Sequence, residues 1–174
     1  CGLTAFQISI IALILPGISL IFWFTYHPLI AIIILNIWLL LDCVDGNIAR
    51  SVGISKMGEY VDASSGYMML GFSFLGIGLY LDIHSINLFG ISQPGFTLLG
   101  SLASILNLLT RVNYHKYMNA ISTFNSSIGI NNPKSVIKSI DRNIGIGGFF
   151  TPLLFIAYFL NLLDLMLIFY VIYS

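Results

Sequence analysis

The chain has 174 residues, of which 57% are hydrophobic and 8% charged; Lys and Arg balance Asp and Glu at seven each, and the mean hydropathy is +0.95. A water-soluble domain of this size carries about a quarter charged residues, so the polar side chains here are too few to cover a water-facing surface. The zero net charge gives no global basic signal for nucleic acid, and the composition predicts an all-α integral membrane protein with a single transmembrane domain over residues 1–174.

Crossing a bilayer takes about 20 mostly apolar residues, and six such spans are expected, at about 3–24, 29–50, 58–81, 95–114, 145–160 and 162–174. The first carries Pro16, expected to bend it, and ends in Phe22, Trp23, Phe24 and Tyr26, which read as an aromatic belt at the outer interface. The second ends in "DCVDGNIAR"; with only Cys1 and Cys43 in the chain no disulfide framework is expected, and Cys43 reads as a small apolar filler. The third begins after a connection of about seven residues, so spans two and three are expected to be antiparallel neighbours. On the fourth, Asn107, Arg111 and Tyr114 fall on one stripe and suit a phosphate or an anionic acceptor, or else Arg111 reaches out to lipid headgroups. Between spans four and five, "NNPKSVIKSIDR" offers Asn132 as an N-cap and Pro133 at the first helical position, which predicts a short helix near 133–143, on the membrane surface or packed on the bundle. Arg142, at the start of span five, is a second phosphate candidate. Spans five and six divide near Asn161 and Asp164, because one continuous helix would hold both at mid-membrane depth.

Six spans place Arg50, Lys56, Arg111, Lys116, Lys134, Lys138 and Arg142 all on one side, and His27, Asp82, His84 and Asp164 on the other. Basic residues stay in the cytoplasm, so both ends and the 51–57 and 115–144 segments are expected there, in a prokaryotic-type inner membrane. No cleavable signal peptide is expected, and the start at Cys1 and the apolar finish read as trimmed.

Chemistry concentrates between Asp42 and Gly66. Asp42 and Asp45 share a helix face at i, i+3, and Asp62 opens the third span, so three carboxylates are expected to converge at the cytoplasmic boundary. Carboxylates at mid-membrane cost about 2.5–3.5 kcal/mol each on insertion scales. A divalent cation offsets that: hard oxygen ligands suit Mg²⁺, Mn²⁺ or Ca²⁺, and Mg²⁺ completes its shell with water and substrate phosphates. Spacing alone leaves an ion or proton pathway open as the alternative.

The run Asp42-Cys-Val-Asp45-Gly46-Asn-Ile-Ala49-Arg50, then Gly58 and Asp62, resembles the signature of the CDP-alcohol phosphotransferase (CDP-alcohol phosphatidyltransferase) family, D-x-x-D-G-x-x-A-R followed by G-x-x-x-D-x-x-x-D. The resemblance implies a membrane transferase of phospholipid metabolism, moving a phosphate-linked group from a CDP-linked donor to an alcohol acceptor with release of CMP at the cytoplasmic face. It implies Asp42, Asp45 and Asp62 as ligands of one or two Mg²⁺ or Mn²⁺ ions, with Gly46, Ala49, Arg50 and Gly58 completing the nucleotide site, and it implies a homodimer. Where the pattern has its fourth aspartate, a metal ligand and the general base, this chain has Gly66. Glu59 and His115 are the replacement candidates for the base, and a CDP- or lipid-binding relative without turnover is the alternative reading.

Overall fold

The structure is a computed structural model describing residues 4–53, 56–84, 93–128 and 146–173. The described residues form six helices and no strand: α1 (Ala5–Phe24), α2 (Pro28–Val52), α3 (Lys56–His84), α4 (Gly95–Ile128), α5 (Ile146–Phe159) and α6 (Leu163–Tyr173). The first four are long and apolar enough to cross a membrane, over Ala5–Phe24, Pro28–Ser51, Tyr60–His84 and Gly95–Tyr117. The other two have 14 and 11 described residues, about 21 and 17 Å of helix against a hydrocarbon layer of about 30 Å. The expected surface helix near 133–143 and Arg142 lie outside the described residues.

Local chemistry sets the helix ends. A capping box opens α1: the Thr4 hydroxyl accepts from the Gln7 N–H at 3.3 Å, and the Gln7 side chain accepts from the Thr4 N–H at 2.9 Å. The helix then runs on through Pro16 to Phe24. It closes in a Schellman motif, with the His27 N–H on the Phe22 carbonyl at 2.9 Å and the Tyr26 N–H on the Trp23 carbonyl at 3.4 Å. Tyr26 takes the left-handed position at φ 62°, and Pro28 starts α2 in the first helical position, where it sacrifices no helical hydrogen bond. The same motif ends α5: Asn161 sits at φ 55°, and the Leu162 N–H reaches the Ala157 carbonyl at 2.8 Å. Asparagine tolerates that conformation better than most residues, so the break falls there. At the start of α4 the cap comes from another helix. Asp82, buried at the end of α3, accepts from the Phe96 N–H at 3.0 Å and from the Thr97 N–H and hydroxyl at 2.7 and 2.5 Å.

Within a bilayer no hydrophobic force drives helix against helix, so association depends on close backbone approach and interhelical hydrogen bonds. Between α3 and α4 the approach centres on Gly78 and Gly100. A Cβ added to Gly78 would lie 2.4 Å from the Phe96 carbonyl oxygen and 3.2 Å from the Gly100 Cα, and one added to Gly100 would lie 2.4 Å from the Phe74 carbonyl oxygen. Further along, the Ser104 hydroxyl donates to the Gly71 carbonyl at 2.8 Å. Between α1 and α2 the Ser19 hydroxyl donates to the Ala31 carbonyl at 3.0 Å.

Two expectations are corrected by this packing. Helix α1 packs along both α2 and α3, while α2 and α3 touch only sparsely, so they are not side-by-side neighbours. The cause is a notch at Gly76: a Cβ there would meet Trp23 of α1 at 2.4 Å. Trp23 is accordingly core, with no exposed surface and its ring edge-on to Tyr80 at 5.7 Å, rather than part of an aromatic belt; Phe24 and Tyr26 alone of that group are exposed large aromatics. Helix α5 packs on α2, and α6 on α3 and α4, with the rings of Phe74, Phe150 and Tyr170 meeting at 5.1–5.3 Å. The α1–α2 turn and the end of α3 meet through Tyr26 and His84, with ring centroids 5.7 Å apart. The α5–α6 turn joins them beside Tyr80 and Leu81.

Candidate active site

At the opposite end of the bundle, Asp42 and Asp45 of α2 and Asp62 of α3 each offer a carboxylate oxygen, and these oxygens lie within 4.8 Å of one another. The three are graded in exposure. Asp45 is 4% exposed, Asp42 is half-buried and Asp62 is exposed, so the cluster opens toward the end of the bundle. Asp45 is held from a third helix: the Ser9 hydroxyl of α1 donates to its Oδ2 at 2.6 Å, a short, charge-assisted bond. Asp42 and Asp62 come within side-chain hydrogen-bonding reach of each other. Two carboxylates that close repel unless a proton or a cation lies between them.

The donor set fits a hard divalent ion. Mg²⁺–oxygen distances of about 2.1 Å put adjacent ligands about 3.0 Å and opposite ligands about 4.2 Å apart, so three oxygens within 4.8 Å of one another are close enough for side-chain rotation to bring them onto one ion. A brace holds α2 against α3 beside the cluster. Trp38 Nε1 donates to Ser65 Oγ at 3.4 Å, and that hydroxyl donates to the Asp62 carbonyl at 2.9 Å.

The remaining sequence candidates divide. Arg50 is exposed; its guanidinium donates to Asn47 Oδ1 at 2.7 Å and lies 3.7 Å from where a Gly46 Cβ would be, so glycine at 46 leaves the space that Arg50 folds into. Ala49 and Gly58 are half-buried near the facing ends of α2 and α3. Asn107 is buried, with its side-chain amide donating to the Ala103 carbonyl at 2.9 Å. Arg111 is half-buried and comes to the cluster: its Nη1 lies 3.9 Å from where a Gly66 Cβ would be, and its charge acts on the Asp42 carboxylate. His115 is exposed, its ring edge-on to Tyr67 and Tyr114 at 6.2 and 5.9 Å. Glu59 lies on α3, but its side chain is outside the described part of the structure. Cys43 is exposed on α2, not a core filler, because the face that Asp42 and Asp45 share turns it outward.

Sequence reading missed Ser9 and Trp38 as parts of this site, and it weighed Ser65 only as a poor base, not as the brace it forms. Ser9 sits in a long apolar run more than 30 residues before its partner, and nothing local marks it. Beside α2 and α5 runs an apolar cleft of about 470 Å³ lined by Ile33, Asn36, Ile37, Leu40, Pro152, Phe155 and Ile156. Its wall at Leu40 is two residues from Asp42.

A helical membrane-spanning bundle with three carboxylates gathered at one end is a polytopic membrane protein built to hold charge where apolar helices meet a polar boundary. The family model described as CDP-alcohol phosphatidyltransferase matches residues 3–173, nearly the whole chain, and the chain belongs to that family. The family's reaction transfers a phosphatidyl group from a CDP-alcohol to an acceptor. No curated protein and no solved structure matches the chain.

Proposed function

We propose that the chain is a metal-dependent transferase that moves a phosphate-linked group from a CDP-linked donor to an alcohol, releasing CMP at the cytoplasmic face of the membrane. The observation that carries this reading is the convergence of Asp42, Asp45 and Asp62 within 4.8 Å in a chain that the family model spans from residue 3 to 173. Asp42, Asp45 and Asp62 would hold one or two Mg²⁺ or Mn²⁺ ions, which when bound supply positive charge to the donor's phosphates. Asp45, anchored by Ser9, sets the position of the site, while exposed Asp62 faces the incoming nucleotide. Gly46, Ala49, Arg50 and Gly58 border the nucleotide, with Arg50 swinging off Asn47 to meet it.

In the reaction the acceptor's hydroxyl oxygen bonds to the donor phosphorus, the bond to the bridging oxygen breaks, and CMP departs with that electron pair. The hydroxyl proton goes to a base, and Gly66 supplies none; Glu59 on α3 and His115, whose ring meets Tyr67 at 6.2 Å, are the candidates. Asn107, Arg111 and Arg142 are assigned to a substrate phosphate or an anionic acceptor. The apolar cleft between α2 and α5 suits an acyl chain, which favours a lipid-borne partner. A homodimer is part of the same reading.

The test is CMP release by the purified protein with Mn²⁺ or Mg²⁺, across CDP-diacylglycerol and CDP-linked small alcohols, each with a panel of alcohol acceptors. Release that needs the metal and is lost in Asp42→Asn supports the assignment. One observation, Gly66 in place of a carboxylate, favours the second reading of a binding relative without turnover. Tight CDP binding with no CMP from any donor decides for it.

A further inference from the structure

The metal site has a cation of its own. Helices α3 and α4 run past each other in a register fixed by backbone contact, with Gly78 against Gly100 and Gly71 against Leu108 and Ser104. Carried toward the carboxylates, that register sets Gly66 against Arg111. Gly66 lies one helical turn beyond Asp62, on the same face of α3. The Arg111 guanidinium therefore lies beside a position of that face where the backbone carries no side chain. A Cβ at 66 would lie 3.9 Å from Nη1, already in van der Waals contact, so a longer side chain there would compete with the guanidinium for the same space. The other guanidinium among the described residues, that of Arg50, is exposed and bonded to Asn47.

Charge then decides what the cluster can hold. Asp42, Asp45 and Asp62 carry three negative charges at a site where the chain enters apolar surroundings, and uncompensated charge there is costly. One divalent ion and one guanidinium neutralise three carboxylates. In the nucleotide-free site, two divalent ions beside the same guanidinium would leave an excess of positive charge, with no fourth carboxylate at position 66 to offset it.

We propose that this site takes a single divalent ion, and that Arg111, admitted by Gly66, is its fixed second cation and binds the substrate phosphate alongside the metal. This deepens the transferase reading and rests on it for the identity of the phosphate. Arginine suits the role because its planar fork of donors matches a phosphate in two hydrogen bonds and stays charged at every working pH.

The experiment is a titration of the full chain in lipid nanodiscs with Mn²⁺, followed by electron paramagnetic resonance, and then with CDP at saturating Mn²⁺. The wild-type chain is expected to bind one Mn²⁺. Arg111→Gln is expected to bind Mn²⁺ more tightly, since a neighbouring positive charge has gone, and to bind CDP about 10–100-fold more weakly, as the loss of charge-assisted bonds to phosphate implies. Arg111→Lys, which keeps the charge and is the milder change for folding, is expected to keep the single Mn²⁺ and wild-type metal affinity while losing about tenfold in CDP affinity. The pair Gly66→Asp with Arg111→Gln is expected to take up a second ion. A residue that merely stabilised the bundle would move both affinities the same way. Two Mn²⁺ per wild-type chain, or CDP affinity within twofold of wild type in both Arg111 variants, overturns the proposal. These outcomes separate from the transferase reading itself: CMP release with two bound ions sinks only the arginine's role, and one bound ion without CMP release sinks only the turnover.

Discussion

Replacing Ser9 by alanine removes one hydroxyl from the first helix, 36 positions away in sequence from the carboxylate it serves. Its Oγ lies 2.6 Å from Asp45 Oδ2, and Asp45 is 4% exposed, so water cannot take over the lost bond without the helices moving. A hydrogen bond to a buried charged group contributes about 1.5–3 kcal/mol, and removing a group that orients a metal ligand typically weakens metal binding about 10–100-fold. The two scales agree, because about 1.4 kcal/mol is a factor of ten. The dissociation constant for Mn²⁺, measured in nanodiscs at constant salt, is therefore expected to rise about 10–100-fold in Ser9→Ala, and Ser9→Thr, which restores the hydroxyl, is expected to recover most of that loss. The same Oγ also sits 3.1 Å from the Ala5 carbonyl of its own helix, which defines the refuting result. If Ser9→Ala binds Mn²⁺ within twofold of wild type while Asp45→Asn binds none, the hydroxyl serves its own helix backbone and Asp45 is held in place without it.

Gly78→Ala pushes a methyl group to 2.4 Å from a backbone carbonyl, and the expected loss is about 1–3 kcal/mol, read as a lower midpoint of thermal unfolding in detergent. Gly71→Ala, whose added carbon meets only the Leu108 side chain at 3.5 Å, is expected to leave that midpoint nearly unchanged; equal losses in both variants would contradict the close α3–α4 crossing. Asp82→Ala strips the first turn of α4 of its cap, with two backbone N–H groups losing their acceptor. It is expected to cost about 1–2 kcal/mol and to raise hydrogen exchange at Phe96 and Thr97, whereas unchanged exchange there would contradict a cap supplied by α3.

The sequence discloses this molecule unevenly. Helix-forming apolar runs and their interruptions are local properties, so the all-helical membrane class is legible from run length, and the break at Asn161 from the one residue there that tolerates a left-handed backbone. The Asp42, Asp45 and Asp62 group is legible because two members share a helix turn and the third follows a short connection. What stays hidden depends on which helix lies against which. Trp23 reads as an interface residue until Gly76 is seen to open a notch for it, and that same notch draws α1 against α3. The contribution of Ser9 follows from this placement of α1 and from nothing near Ser9 in the chain. Likewise Gly66 reads in the sequence as a missing carboxylate. Only the register of α3 on α4, set by Gly78 and Gly100, shows a guanidinium at that place.

The account turns on a metal held by the three aspartates and touching the phosphates of a cytidine nucleotide. Phosphorus-31 electron–nuclear double resonance on the Mn²⁺-loaded protein with CDP bound measures that contact directly. A phosphorus hyperfine coupling in the wild-type chain, lost in Asp62→Asn under conditions where the variant remains folded, is the predicted result. Bound Mn²⁺ that shows no phosphorus coupling with CDP present, or CDP that binds equally well after the metal is chelated, would contradict it.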